Sequence, residues 1–125
     1  MMKKVYTPDN FVSVGPYSPA VEIGNMVYCS GQIPLNPNTG KLVEGDISAQ
    51  AEQCFKNLVN VLSAGGLTTD NVVKSTVFLT DMGDFTAVNK VYANFFNSPY
   101  PARSAIGVAS LPLGARMEIE VIASK

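Results

Sequence analysis

The sequence contains no histidine and no tryptophan. Without histidine, a Ser-His-Asp or Cys-His nucleophilic device is excluded, and zinc is left with only cysteine and carboxylate ligands. Arginine occurs only at Arg103 and Arg116, and nine Lys plus Arg face ten Asp plus Glu, for a net charge of -1. No five-residue window forms a basic run, so the electrostatic footprint that phosphate contacts require is missing, and this counts against a nucleic-acid partner. Neither a Walker loop nor a Gly-x-Gly-x-x-Gly fingerprint occurs. The N-terminal Met-Met-Lys-Lys is followed by Thr7-Pro8-Asp9-Asn10 rather than an apolar stretch. Neither a signal peptide nor a membrane span is therefore expected, and the chain reads as soluble and cytoplasmic. Cys29 and Cys54 are the only thiols. With no secretory signal they are expected to be reduced, and their apolar settings suit packing rather than catalysis. The acid-base groups that remain are a carboxylate, a tyrosine, a lysine, or water held by backbone.

At 125 residues the chain fits one domain over 1-125, large enough for a core of its own. Hydrophobic periodicity gives its elements. Lys4 to Tyr6 reads as a short strand, and Phe11 to Pro19, with Gly15-Pro16-Tyr17-Ser18-Pro19, as an ordered loop. Ala20 to Ile23 and Met26 to Ser30 flank Gly24-Asn25, a pair suited to a tight hairpin. Leu35 to Gly40 is a surface loop. Asp46 is placed to cap a helix over Ile47 to Ala64, stopped by Gly65-Gly66. Val72 to Leu79 is a strand, and Asp84 caps a second helix whose Phe85, Val88, Tyr92, Phe95 and Phe96 make one apolar stripe, read as core. Ala102 to Val108 and Met117 to Ala123 are strands separated by the breakers Leu111-Pro112-Leu113-Gly114, and they should pair or lie close in one sheet. The result is an α+β domain with a mixed sheet of about six strands and two helices on one face. Apolar residues of both parities in the strands leave the other face in need of a partner, which predicts a homo-oligomer.

The residues that promise chemistry lie near the C-terminus. In a strand, Arg103, Ala105 and Gly107 share one face, while Glu118, Glu120 and Ile122 share one face of the next. Small neighbours leave space around the Arg103 guanidinium. Two readings stay open on this pattern: a cross-strand ion pair with a glutamate that holds register, or a ligand site. Tyr17, restricted between two prolines, either aims its ring at a cleft or packs. Arg116, at a turn, is expected to face solvent or to pair at an interface.

Six segments together resemble the RidA (YjgF) family over nearly the whole chain: Gly15-Pro-Tyr-Ser18, Ser30-Gly-Gln-Ile-Pro34, Asn57-Leu58 with Ala64-Gly-Gly-Leu67, Val88-Asn89 with Tyr92 and Phe95-Phe96, Pro101-Ala-Arg-Ser104, and Met117-Glu-Ile-Glu-Val-Ile-Ala123. The resemblance implies a chorismate-mutase-like fold assembled as a homotrimer with sites between subunits. It also implies hydrolytic deamination of 2-imino and 2-enamino acids, such as 2-iminopropanoate and 2-iminobutanoate, to 2-keto acids, an activity that protects PLP enzymes. On that resemblance Arg103 grips the substrate carboxylate and Glu118 handles the water. Tyr17, from a neighbouring subunit, lines the cleft with Ser30 and Asn89, and backbone at Ala105 contacts substrate or water. The arginine fork suits a planar carboxylate, and a glutamate that orients water and returns its proton suffices for so reactive an electrophile, with no cofactor and no metal. Many relatives carry cysteine where this chain has Ala105, so a thiol-based role there is unavailable. Glu120 reads as a structural or interface acid. The competing readings are a ribonuclease or translation inhibitor, and a non-enzymatic trimer that binds carboxylate ligands or acts like a chaperone.

Overall fold

The computed structural model of the protein describes residues 2-11 and 15-125, so the expected Phe11 to Pro19 loop falls partly outside the described residues. Six strands, β1 (Lys4–Tyr6), β2 (Ala20–Ile23), β3 (Met26–Gln32), β4 (Val72–Leu79), β5 (Ala102–Gly107) and β6 (Met117–Ser124), and two helices, α1 (Ile47–Ala64) and α2 (Phe85–Phe95), make up the fold. The strands form one sheet in the order β1-β2-β3-β6-β4-β5. All neighbours are antiparallel except β4 and β5, which run parallel through the α2 crossover.

Local signals act where the sequence places them. The Asp46 carboxylate accepts a hydrogen bond from the Ala49 N–H at 2.9 Å and starts α1. The helix buries Ile47, Ala51, Cys54, Phe55, Leu58, Val61 and Leu62 at three- and four-residue steps. It ends at Gly65-Gly66, where Gly66 takes φ +74°, and a Cβ on Gly65 would strike the Tyr6 ring. Gly24, at φ +60°, makes the β2-β3 turn. Both helices pack on one face of the sheet. There Phe55, Leu58, Val88 and Phe96 join Val27, Val77, Ile119 and Val121 in one core.

Of three expectations, two are narrowed and one, the Asp84 cap, is corrected. β5 and β6 share a sheet but do not pair, because β4 lies between them and takes both edges. Asp84 sits at the start of α2 without a capping hydrogen bond from its side chain. Its carboxylate instead accepts two hydrogen bonds from Arg116, at 2.8 and 2.9 Å. A 3-10 turn over Met82–Asp84, capped by Asp81, leads directly into the helix and frees Asp84 for this pair. Arg116, with its side chain 42% exposed, is accordingly paired within its own chain.

The second sheet face carries no helix. Register puts Val5, Val21, Tyr28 and Ile122 there from β1, β2, β3 and β6, continuing to Phe78 and Ile106 on β4 and β5. Val5, Tyr28 and Ile106 stand exposed. Glu118 and Glu120 sit in the middle of this face, beside Phe78 and Thr76 respectively.

Candidate active site

The residues singled out in the sequence form two groups, one on each face of the sheet. Arg103 pairs in register with Ser75, and Ser75 is fully buried under the helices. Arg103 therefore rises on the helix-bearing face at the β5 edge. Its Nη1 donates to Asn89 Oδ1 at 2.7 Å. Its guanidinium carbon lies 4.7 Å from the Tyr92 ring centre and 5.4 Å from that of Phe85. Phe85, Asn89 and Tyr92 are spaced by four and three along α2, so one helix face presents all three. The arginine remains exposed, with most of its donors unspent.

Backbone adds to this group. The Val108 N–H bonds to Leu79 C=O at 2.8 Å. Alternation along the strand then turns Ser104 and Ile106 toward β4, and turns the N–H and C=O groups of Arg103, Ala105 and Gly107 outward from the sheet's last strand. Ala105 thus offers open backbone on the same strand edge, two residues from Arg103, whatever its side chain.

Glu118 belongs to the other face. It lies in a cleft of about 890 Å³ with Phe11, Tyr17, Ser30, Gly31 and Glu120 among its lining residues. A β-bulge builds this corner: Cys29 opposes Val121 and Gln32 opposes Ile119, so Ser30 and Gly31 together face the single Glu120. The Glu118 carboxylate rests against Gly31, in the space that a Cβ there would need. Ser30 donates from its hydroxyl to Ser18 C=O at 2.6 Å, and its N–H bonds Pro19 C=O at 2.9 Å, tying the Tyr17 loop to the bulge. Tyr17 is 43% exposed and meets Phe11 edge to face. Behind the bulge, Asn57 of α1 donates to the C=O groups of Ile33 and Leu35 and fixes the next loop.

Burial pushes the Glu118 carboxyl above the ordinary glutamate range, and the Glu120 charge adds to the effect. A carboxyl shifted upward holds a proton more readily than an ordinary one, which suits a group that must take a proton and return it. Burial raises the thiols too: Cys29 is pushed up to about 11, and Cys54, whose Sγ donates to Gln32 C=O, higher still. Both are buried and free, the state of packed thiols. Among the described residues, no group of three Cys, Asp or Glu comes together to hold a metal ion, and no helix is long and apolar enough to cross a membrane.

Tyr17, Ser30 and Glu118 therefore share one cleft, and Arg103, Asn89 and the Ala105 backbone share the other locality. In the sequence, Gly31 and Tyr92 stand within the motifs that carry the resemblance, Phe85 and Tyr92 also stand in the apolar stripe read as core, and none of the three is given a place among the expected site residues. The signal for the aromatic pair is their spacing around Asn89.

This six-stranded mixed sheet with two helices on one face, a carboxylate-lined cleft and an edge arginine matches a known class. The profile described as Endoribonuclease L-PSP matches residues 7–125, and the chain belongs to this family, the RidA (YjgF) family. The mouse 2-iminobutanoate/2-iminopropanoate deaminase is 46% identical over 121 residues, 97% of this chain and 90% of the mouse protein. Among solved structures, YyfA from Yersinia pestis, described as a protein of unknown function of the conserved Rid protein family, superposes with a TM-score of 0.95 at 45% identity. That match covers 99% of this chain and 100% of YyfA. TdcF from E. coli with bound serine gives 0.91 at 39% identity, covering 98% of each chain.

Proposed function

We propose that this protein hydrolyses 2-imino acids, and the 2-enamino acids that tautomerise to them, to 2-keto acids and ammonia in sites formed between copies of the chain. The observation that carries the reading is that Arg103 and Glu118 stand on opposite faces of one sheet. Neither half can hold a small substrate against the other half of its own chain. A head-to-tail ring, in which the β5 edge of one copy meets the uncovered face of the next, joins the halves and covers the apolar residues of that face. A homotrimer is the ring we expect.

In such a site the Arg103 fork takes the substrate carboxylate by two parallel hydrogen bonds, with the Ala105 backbone and Asn89 beside it. Glu118 accepts a proton from water as the oxygen adds to the C=N carbon. It then returns the proton to nitrogen. Collapse of the carbinolamine expels ammonia and leaves the C=O bond of the 2-keto acid, so one water is consumed and one ammonia released. Imines hydrolyse readily, so fixing carboxylate and water in register supplies much of the acceleration. Tyr17 and Ser30 line the Glu118 cleft and shape the pocket around the substrate side chain.

The names of relatives support this chemistry, and the serine bound to TdcF is an amino acid of the same size class. The family profile's own description speaks for RNA cleavage. The net charge of -1 argues against an RNA-binding surface. The test is release of ammonia and 2-keto acid from an imino acid generated in place by an amino-acid oxidase. Wild type should accelerate release, and Arg103→Ala should abolish the acceleration. Arg103→Lys, which keeps the charge but loses the fork, should raise KM about tenfold or more. Failure of an assembled wild type on several imino acids overturns the reading.

A further inference from the structure

Arg103 is a long, exposed side chain, and such a side chain ordinarily samples many rotamers. Its surroundings here are unusually definite. Tyr92 is 5% exposed. One face of its ring is stacked on Phe96, 4.1 Å between centres and 16° between planes, which leaves the other face for the guanidinium at 4.7 Å. The Tyr92 hydroxyl meets Ser75 Oγ at 2.8 Å. Ser75 is the only fully buried polar side chain among the described residues, and it is the residue paired with Arg103 across β4 and β5. A core built only to pack has no need of a hydroxyl at that position. A serine there gives the tyrosine a partner, and its small size lets the ring settle beside the arginine.

We propose that Tyr92, anchored by Ser75, is the positioning residue for Arg103: its ring is the platform that fixes the plane of the guanidinium and turns the fork's free edge toward an incoming carboxylate. Asn89 fixes the rotation about that plane through Nη1, and Phe85 closes a second side at 5.4 Å. The ring also desolvates one guanidinium face, where a cation-π contact strengthens as water is excluded. This inference rests on the deaminase reading for the identity of the ligand, and on geometry alone for the platform.

The experiment compares wild type, Tyr92→Phe, Tyr92→Leu and Ser75→Ala, each confirmed to assemble as wild type does. 2-Oxobutanoate serves as the calorimetric probe, and the Arg103 Nε–H resonance serves as a readout independent of activity. Tyr92→Phe keeps the ring and should retain most of the affinity. Tyr92→Leu should weaken 2-oxobutanoate binding and raise KM about tenfold with kcat little changed, and should reduce the ring-current shift of the Arg103 resonance to what Phe85 alone supplies. An assembled Tyr92→Leu protein with wild-type affinity and an unchanged resonance overturns the proposal. So does a Tyr92→Phe protein as impaired as Tyr92→Leu. If Tyr92→Leu does not fold, Ser75→Ala decides. A severalfold loss of affinity with a changed Arg103 resonance supports the anchor, and no change in either overturns it. If wild type neither binds 2-oxobutanoate nor hydrolyses imino acids, the deaminase reading falls by itself. The platform is then judged on the resonance: a shift in wild type and Tyr92→Phe that is clearly smaller in Tyr92→Leu supports it, and an equal shift in all three or none in wild type overturns it.

Discussion

The Glu118 carboxylate lies in the space that a side chain on Gly31 would fill: a Cβ built there would collide with its Oε2 and Cδ. The bulge at Ser30 and Gly31 and the placement of the acid are thus one construction, in which the missing side chain at one position sets the rotamer at the other.

Gly31→Ala should therefore act as a displaced Glu118. The alanine methyl pushes the carboxylate out of its seat, and imino-acid hydrolysis should fall at least about tenfold through kcat, since loss of a positioned acid-base group costs about 10²–10⁴-fold. The melting temperature should change little, because the side chain can swing into the open cleft. Unchanged kcat in an assembled Gly31→Ala protein contradicts the proposed role of Glu118.

The shift of Glu118 has two consequences for pH. Burial first, then Glu120, raises its carboxyl in the folded chain, so the folded state keeps a proton that the unfolded state has already released. The stability it contributes is full below the unfolded-state value and is lost as pH rises through the folded-state value. Glu118→Gln should remove that loss and gain on wild type above the window, measured as denaturation midpoints across pH. Activity runs the other way, because the base form is needed. The limb of kcat/KM should rise with pH above the ordinary glutamate range, and Glu120→Gln should move it down. A limb indifferent to Glu120→Gln would remove Glu120 as a cause.

Stability outside the site offers a cleaner test of the packing. Asp84 is largely buried and takes both hydrogen bonds from Arg116, which is 42% exposed. Asp84→Ala should cost about 1–2 kcal/mol, more than an exposed pair because the acid is buried, yet discounted for the solvent around the arginine. Asp46→Ala, which removes the cap on α1, should cost about 1 kcal/mol. Chemical denaturation of the two single variants and of Arg116→Ala, completed as a double-mutant cycle, measures both terms.

Much of the fold is legible in the sequence because its signals are local. Asp46, Gly65-Gly66 and Gly24-Asn25 act within a few residues of themselves, and α1 and β4 have the bounds their patterns imply. What is not legible is non-local. The short spacing between β5 and β6 leaves pairing and mere proximity in one sheet both open, and β4 is inserted between them, a choice made by the whole sheet. Alternation assigns residues of each strand to common faces but cannot orient one strand's faces against another's. The sequence therefore leaves open an ion pair between Arg103 and a glutamate, whereas the register puts Glu118 and Glu120 behind the sheet from Arg103. Asp84 shows a related limit. Its position fits a cap, yet the carboxylate goes to Arg116, thirty-two residues on.

Whether one site draws Arg103 and Glu118 from different copies is tested most directly by subunit complementation. Arg103→Ala and Glu118→Ala proteins, each inactive alone, would be unfolded together in equal amounts, refolded and assayed for imino-acid hydrolysis. Random association in a head-to-tail ring regenerates intact sites wherever Arg103 of one copy meets Glu118 of another, so activity should return to roughly one quarter of wild type. If mixed assemblies form and activity stays at the level of the parent variants, the two residues do not meet across an interface, and the composite site is wrong.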